Sequence, residues 1–84
     1  YPNPFNPITT IRYAIPRASD VQIRVYNISG QQVKTLVDTP QDAGYYSVVW
    51  DGRNDRGNQV GSGTYFYVIK AGMDEAMRKM VLLK

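Results

Sequence analysis

Residues 44–72, GYYSVVWDGRNDRGNQVGSGTYFYVIKAG, constrain this chain more than any other stretch. Two runs dense in aromatic and β-branched residues, Tyr45–Trp50 and Thr64–Ile69, flank a segment rich in Gly, Asn and Asp. Side chains of that kind lose rotamer freedom in a helix and pack well on a pleated surface. The segment between them supplies the residues that tolerate tight or left-handed backbone. The stretch therefore reads as two strands meeting across a turn-rich connection, the central hairpin of an all-β domain.

The rest of the chain alternates in the same way. Ile11, Tyr13 and Ile15 share one face, and Thr10, Arg12 and Ala14 the other, until Pro16 ends the run. Val21, Ile23 and Val25 alternate with Gln22, Arg24 and Tyr26, and Asn27-Ile28-Ser29-Gly30 forms a turn. A third strand sets Val33, Thr35 and Val37 on one face and Leu36 on the other. Residues 38–43, DTPQDA, read as a polar loop broken by Pro40. On the fourth strand Tyr46, Val48 and Trp50 share a face, and Gln59-Val60 reads as a very short strand inside the connection that follows. Tyr65, Tyr67 and Ile69 oppose Phe66 and Val68, so this strand is apolar on both faces and belongs in a sheet interior. After a turn at residues 71–75, a last strand from about Ala76 to Leu83 turns Met80 and Leu82 one way and Val81 and Leu83 the other.

Regular turn signals and no helical period predict an immunoglobulin-like antiparallel β-sandwich of about seven strands and no helix. A small barrel is the alternative. At 84 residues the chain is one domain, with a Pro-rich lead-in at 1–7 (YPNPFNP) and the sandwich at 8–84. Phe5 is expected to plug one end of the core and Trp50 to sit within it. The beginning on Tyr1-Pro2 suggests a module of a longer polypeptide.

The composition narrows the chemistry. There is no Cys, so no disulfide supports this small fold, and no His, which removes the commonest general base and metal ligand. Ser29, Ser47 and Ser62 thus lack an activating partner. The net charge of +3 is spread among interleaved acids, without the basic stripe of a nucleic-acid binder. No apolar run reaches the length of a membrane span. The cluster Asp51, Asn54, Asp55 and Asn58 is a conceivable cation site, but Arg53 stands where a calcium loop needs an oxygen, and Arg56 adds a second positive charge. Turn chemistry explains the same residues. A carboxylate pair of Asp51 and Asp55 in a solvated turn lacks the enclosed cleft that glycoside hydrolysis requires. Tyr26, Tyr45 and Phe66 are candidates for an exposed, sugar-binding aromatic platform. KMVLLK, residues 79–84, reads as an edge strand protected by lysine or as a strand a receptor reads by strand addition.

Four segments in order, YPNPFNPITTIRYAIP, VYNISGQQVKTLV, AGYYSVVWDGRNDRGNQVGSGTYFYVIKAG and KMVLLK, resemble the C-terminal sorting domains of the type IX secretion system. These occur on secreted proteins of the Bacteroidota and related phyla and are close relatives of the Ig-like domain of the flagellar hook-capping protein. The resemblance implies a seven-stranded sandwich that is not an enzyme and binds no metal or other cofactor. It implies a domain that sends N-terminal cargo of the same polypeptide across the periplasm and through the outer-membrane translocon, to be secreted or held at the cell surface. A cell-surface sortase commonly removes such a domain. The implied recognition residues are Gly63, Tyr65, Gly72, Lys79 and Lys84. The alternatives are an accessory carbohydrate-binding or spacer domain of a secreted hydrolase or adhesin, and a hook-capping-like assembly domain.

Overall fold

A computed structural model describes residues 8–83. The lead-in at 1–7, with Phe5, and the terminal Lys84 lie outside the described residues. Six antiparallel strands follow one another: β1 (Thr9–Ile15), β2 (Ser19–Asn27), β3 (Gln32–Gln41), β4 (Gly44–Trp50), β5 (Gly63–Ala71) and β6 (Asp74–Leu82). They form a two-stranded sheet, β1-β4, and a four-stranded sheet, β3-β2-β5-β6. There is no helix among the described residues. The Ig-like, all-β expectation holds, with six strands against about seven. The short strand expected at Gln59-Val60 is a single bridge, Arg53 to Gln59.

The alternation places the core. Ile11 and Ile15 of β1 meet Val21 and Ile23 of β2 in one cluster, and Val25, Trp50, Tyr65 and Leu82 form the other. Each fully buried aliphatic or aromatic side chain contributes about 1.5–3 kcal/mol relative to exposure. Trp50 is 0% exposed and packs edge-on against Tyr65, with ring centroids 5.1 Å apart. Its indole Nε1–H donates to the Arg53 carbonyl at 2.9 Å, so its one polar atom is satisfied. At the far end of the sandwich Tyr13 stacks on its cross-strand partner Tyr46.

Three sequence expectations are corrected. The runs around residues 45–50 and 64–69 are not a hairpin: β4 pairs with β1, and β5 pairs with β2 and β6. The connection between them crosses from one layer to the other. The two runs meet face to face through Trp50 and Tyr65, because apolar faces bury more area across a sandwich than edge to edge. Leu36 does not face away from the core. Register shifts opposite Ile23/Arg24 and Val25/Tyr26 place bulges at Leu36 and Val33, and Leu36, Val37 and Val33 all pack on the core. Finally, residues 38–41 are strand, with Pro40 opposite Asp20. Proline is accommodated because β3 is the outermost strand of its sheet, where a missing N–H need not break a ladder.

Candidate functional site

The four-stranded sheet has two edges, and the chain treats them differently. The β3 edge is bulged, contains Pro40 and is covered at Val33 and Thr35. Asp55 N–H donates to the Val33 carbonyl at 3.0 Å, and its carboxylate Oδ1 accepts from Thr35 N–H at 3.1 Å. Asp55 thus stands in for one residue of a neighbouring strand. The loop that carries it is tightly self-bonded: Asn54 Oδ1 accepts from Arg56 N–H and Asn58 N–H, both at 3.0 Å. Asp51 Oδ1 accepts from Arg53 N–H at 3.1 Å, and Gly52 and Gly57 take positive φ of 76° and 86°. One side-chain oxygen each of Asp51, Asn54 and Asp55 in the suspected cation site is therefore spent on backbone N–H groups, the chemistry of Asx turns.

The β6 edge is the opposite case. Its nine-residue ladder with β5 runs from Gly63↔Leu82 to Ala71↔Asp74 with no bulge and no proline. A two-residue turn, Gly72-Met73, closes the hairpin, and Gly72 holds φ 61° as the first central residue, as type II′ turns require. Gly72 N–H donates to the Asp20 carbonyl at 3.0 Å. That bond sets the alternation along β5: residues 64, 66, 68 and 70 bond to β2, and residues 63, 65, 67, 69 and 71 bond to β6. On β6, then, Asp74, Ala76, Arg78, Met80 and Leu82 bond inward. Glu75, Met77, Lys79 and Val81 turn their N–H and C=O groups away from the sheet. Their side chains lie on its outer face, since Met80 and Leu82 pack on the core.

That outer face carries an apolar patch. Tyr26 lies beside Phe66, Phe66 beside Lys79, and Val68 beside Met77. Tyr26, Phe66, Val68 and Met77 border a shallow groove of about 370 Å³ that also includes Ile28. Met77 and Val81 are more than half exposed. Two members of the expected aromatic platform, Tyr26 and Phe66, are thus brought together. Tyr45 is 93% exposed on β4 of the other sheet and does not join them.

The implied recognition residues do not gather in one patch. Gly63 and Gly72 lie at opposite ends of the β5 region, at the strand start and in the turn. Tyr65 is 8% exposed, and its hydroxyl donates to the Gly61 carbonyl at 2.7 Å, an arrangement of the tyrosine-corner type. Lys79 lies exposed on β6, and Lys84 is outside the described residues. Lysine on β6 and the apolar ending were visible in the sequence. The sequence carries no local signal for Asp55 as the cover of one edge or for the open backbone of the other, because both depend on non-local pairing.

A family model described as the FlgD Ig-like domain matches residues 7–75. The chain belongs to the FlgD Ig-like domain family. Two solved structures agree with this fold. FlgD from P. aeruginosa is 26% identical, with a TM-score of 0.69 over 89% of this chain and 58% of that one. FlgD from Xanthomonas campestris, described for the hook capping essential for flagellar assembly, is 24% identical, with a TM-score of 0.69 over 92% of this chain and 56% of that one. The chain therefore spans little more than half of either FlgD protein. No curated protein matches it. These likenesses support the hook-capping side of the sequence resemblance.

Proposed function

We propose that this domain is a non-catalytic docking module that joins a larger polypeptide to a multi-protein assembly, and that it docks through the open edge of β6. The observation that carries the reading is the contrast between the two edges of one sheet. Asp55, two bulges and Pro40 interrupt the β3 edge, while among the described residues β6 offers an unbroken nine-residue strand whose outward backbone groups at Glu75, Met77, Lys79 and Val81 pair with no other strand, the Met77 carbonyl accepting only from the exposed Arg78 guanidinium of its own strand at 3.0 Å. Proteins normally blunt such an edge, and one left flat and exposed is a template for strand addition. Membership in the FlgD Ig-like domain family favours assembly of the hook-capping kind.

A second reading, sorting by the type IX translocon, is favoured by a different observation. The family match ends at residue 75, whereas the KMVLLK segment that resembles sorting domains starts at Lys79 and forms the C-terminal part of the open edge. In this reading the partners are the translocon and sortase, the cargo is the rest of the polypeptide, and the destination is the cell surface or the medium.

Two constructions separate the readings. One is a FlgD protein with its Ig-like domain replaced by this chain, scored for hook assembly. The other is a reporter fused to residues 1–84 in a host with type IX secretion, scored for export, with and without deletion of Met80–Lys84. Hook assembly by the chimaera supports the first reading. Export that depends on Met80–Lys84 supports the second, and equal export without those residues sinks it. In either system Met77→Pro should abolish docking, since residue 77 donates nothing to β5. Docking unchanged by that substitution would refute the β6 reading.

A further inference from the structure

The geometry points to a second copy of this chain as an occupant of the β6 edge, paired antiparallel about Met77 to make a continuous sheet of eight strands, four from each copy. This deepens the docking reading and rests on it. The charge order along β6 is self-complementary: Asp74 and Glu75 come first, Arg78 and Lys79 follow.

A two-fold axis perpendicular to the sheet keeps the outer faces of both copies on the same side. It also requires opposed residues to share a face. Centred on Met77, it sets Glu75 against Lys79 of the second copy, Met77 against Met77, and Lys79 against Glu75. These are the residues whose N–H and C=O groups point outward, so every opposed pair of this set is a bonded pair that exchanges both N–H···O bonds, the Met77 carbonyl giving up the exposed Arg78 guanidinium that now donates to it at 3.0 Å. Opposite charges directly across antiparallel strands are favourable, and this register contains the Glu75–Lys79 pair twice. On the inner face Asp74 gains Arg78 of the second copy as its diagonal neighbour. Glu75 is already held toward the outer face by Lys70, with Nζ 3.7 Å from Oε2, and so stands between two ammonium groups.

Other arrangements are shorter or worse. Centring on Ala76 opposes Asp74 to Arg78 but pairs only residues 74–78 of each β6. A slip by one residue brings inward-bonded groups to the free edge. A slip of the centre to Arg78 sets two guanidinium groups directly opposed and leaves Glu75 facing Val81. A parallel in-register pair would align Glu75 with Glu75 and Lys79 with Lys79. Of the smaller sheet, β1 carries one charge, Arg12, and β4 none, so neither has a complementary order to pair with. Met77 and Val81 would extend the apolar outer surface across the junction.

Sedimentation velocity on the 84-residue chain tests this. A reversible monomer–dimer equilibrium is expected, weakened by added salt. Glu75→Lys and Lys79→Glu should each raise the dimer dissociation constant about tenfold or more, because each turns two attractive pairs into two repulsive ones. The double substitution should restore the dimer, and a mixture of the two single variants should associate more tightly than either alone. Both side chains are exposed, so circular dichroism should show unchanged folding. A chain monomeric at every concentration overturns the inference. So does a dimer that ignores these charges but is lost on Phe66→Ala, which would lie on the sheet face instead. A monomer whose parent polypeptide still loses docking on Met77→Pro refutes self-pairing alone, whereas docking that survives Met77→Pro removes the β6 reading as well.

Discussion

Truncation of Trp50 is the most demanding test of the packing. The side chain is fully buried where the two layers meet, in contact with the second core cluster and edge-on to Tyr65. Trp→Ala at such a site costs about 3–5 kcal/mol in lost transfer energy and cavity formation. A domain of 84 residues has a total stability of about 4–13 kcal/mol at the usual per-residue value. Trp50→Ala should therefore remove about a quarter or more of the stability, and at the lower end of that range it unfolds the chain. Trp50→Phe gives a graded version. It keeps most of the apolar contact and removes the Nε1–H bond to the Arg53 carbonyl, at a cost of about 1–2 kcal/mol. Urea unfolding followed by far-UV circular dichroism is the assay, since Trp50 is the sole indole fluorophore. With a slope near 1 kcal/mol/M, the midpoint should fall by about 3 M or more for Ala and about 1–2 M for Phe. A fall below about 0.5 M for Trp50→Ala, at unchanged slope, would refute the placement of Trp50 at the centre of the core.

Tyr65→Phe removes the hydroxyl bond to Gly61 and should cost about 1 kcal/mol, a drop of about 4–8 °C in Tm by differential scanning calorimetry. Asp55→Ala should cost a similar amount, and amide exchange should accelerate selectively at Thr35, whose N–H loses its acceptor. Gly72→Ala places a Cβ at φ 61° and should lower stability by about 1–2 kcal/mol in the same calorimetric assay. Tyr45→Ala, on a side chain open to solvent, should change stability by no more than about 0.5 kcal/mol.

Much of this fold is written in local alternation. Ile11, Ile15, Val21, Ile23 and Val25 are all buried, as a period of two requires, and Pro16 ends β1 where expected. The failures are instructive because each has a non-local cause. The alternation through residues 33–37 misplaced Leu36, since a bulge inserts a residue without changing composition. Pro40 looked like a loop because its tolerance depends on β3 lying at an edge, which pairing alone decides. The aromatic runs around Trp50 and Tyr65 looked like hairpin partners, since two apolar runs joined by glycines read alike whether they pair side by side or pack face to face. For the site, the two faces of β6 were legible from Met80, Val81, Leu82 and Leu83. That its edge is open, while Asp55 covers the other, was not. It follows from which strand ended up outermost.

Residue-resolved amide hydrogen exchange along β6 tests the central claim most directly. In dilute solution the amides of Ala76, Arg78, Met80 and Leu82 should be protected by β5, and those of Glu75, Met77, Lys79 and Val81 should exchange freely. On docking, the second set should become protected while the first changes little. Protection of Glu75, Met77, Lys79 and Val81 in the dilute monomer, or their continued rapid exchange in the docked state, would contradict the assignment of β6 as the docking edge.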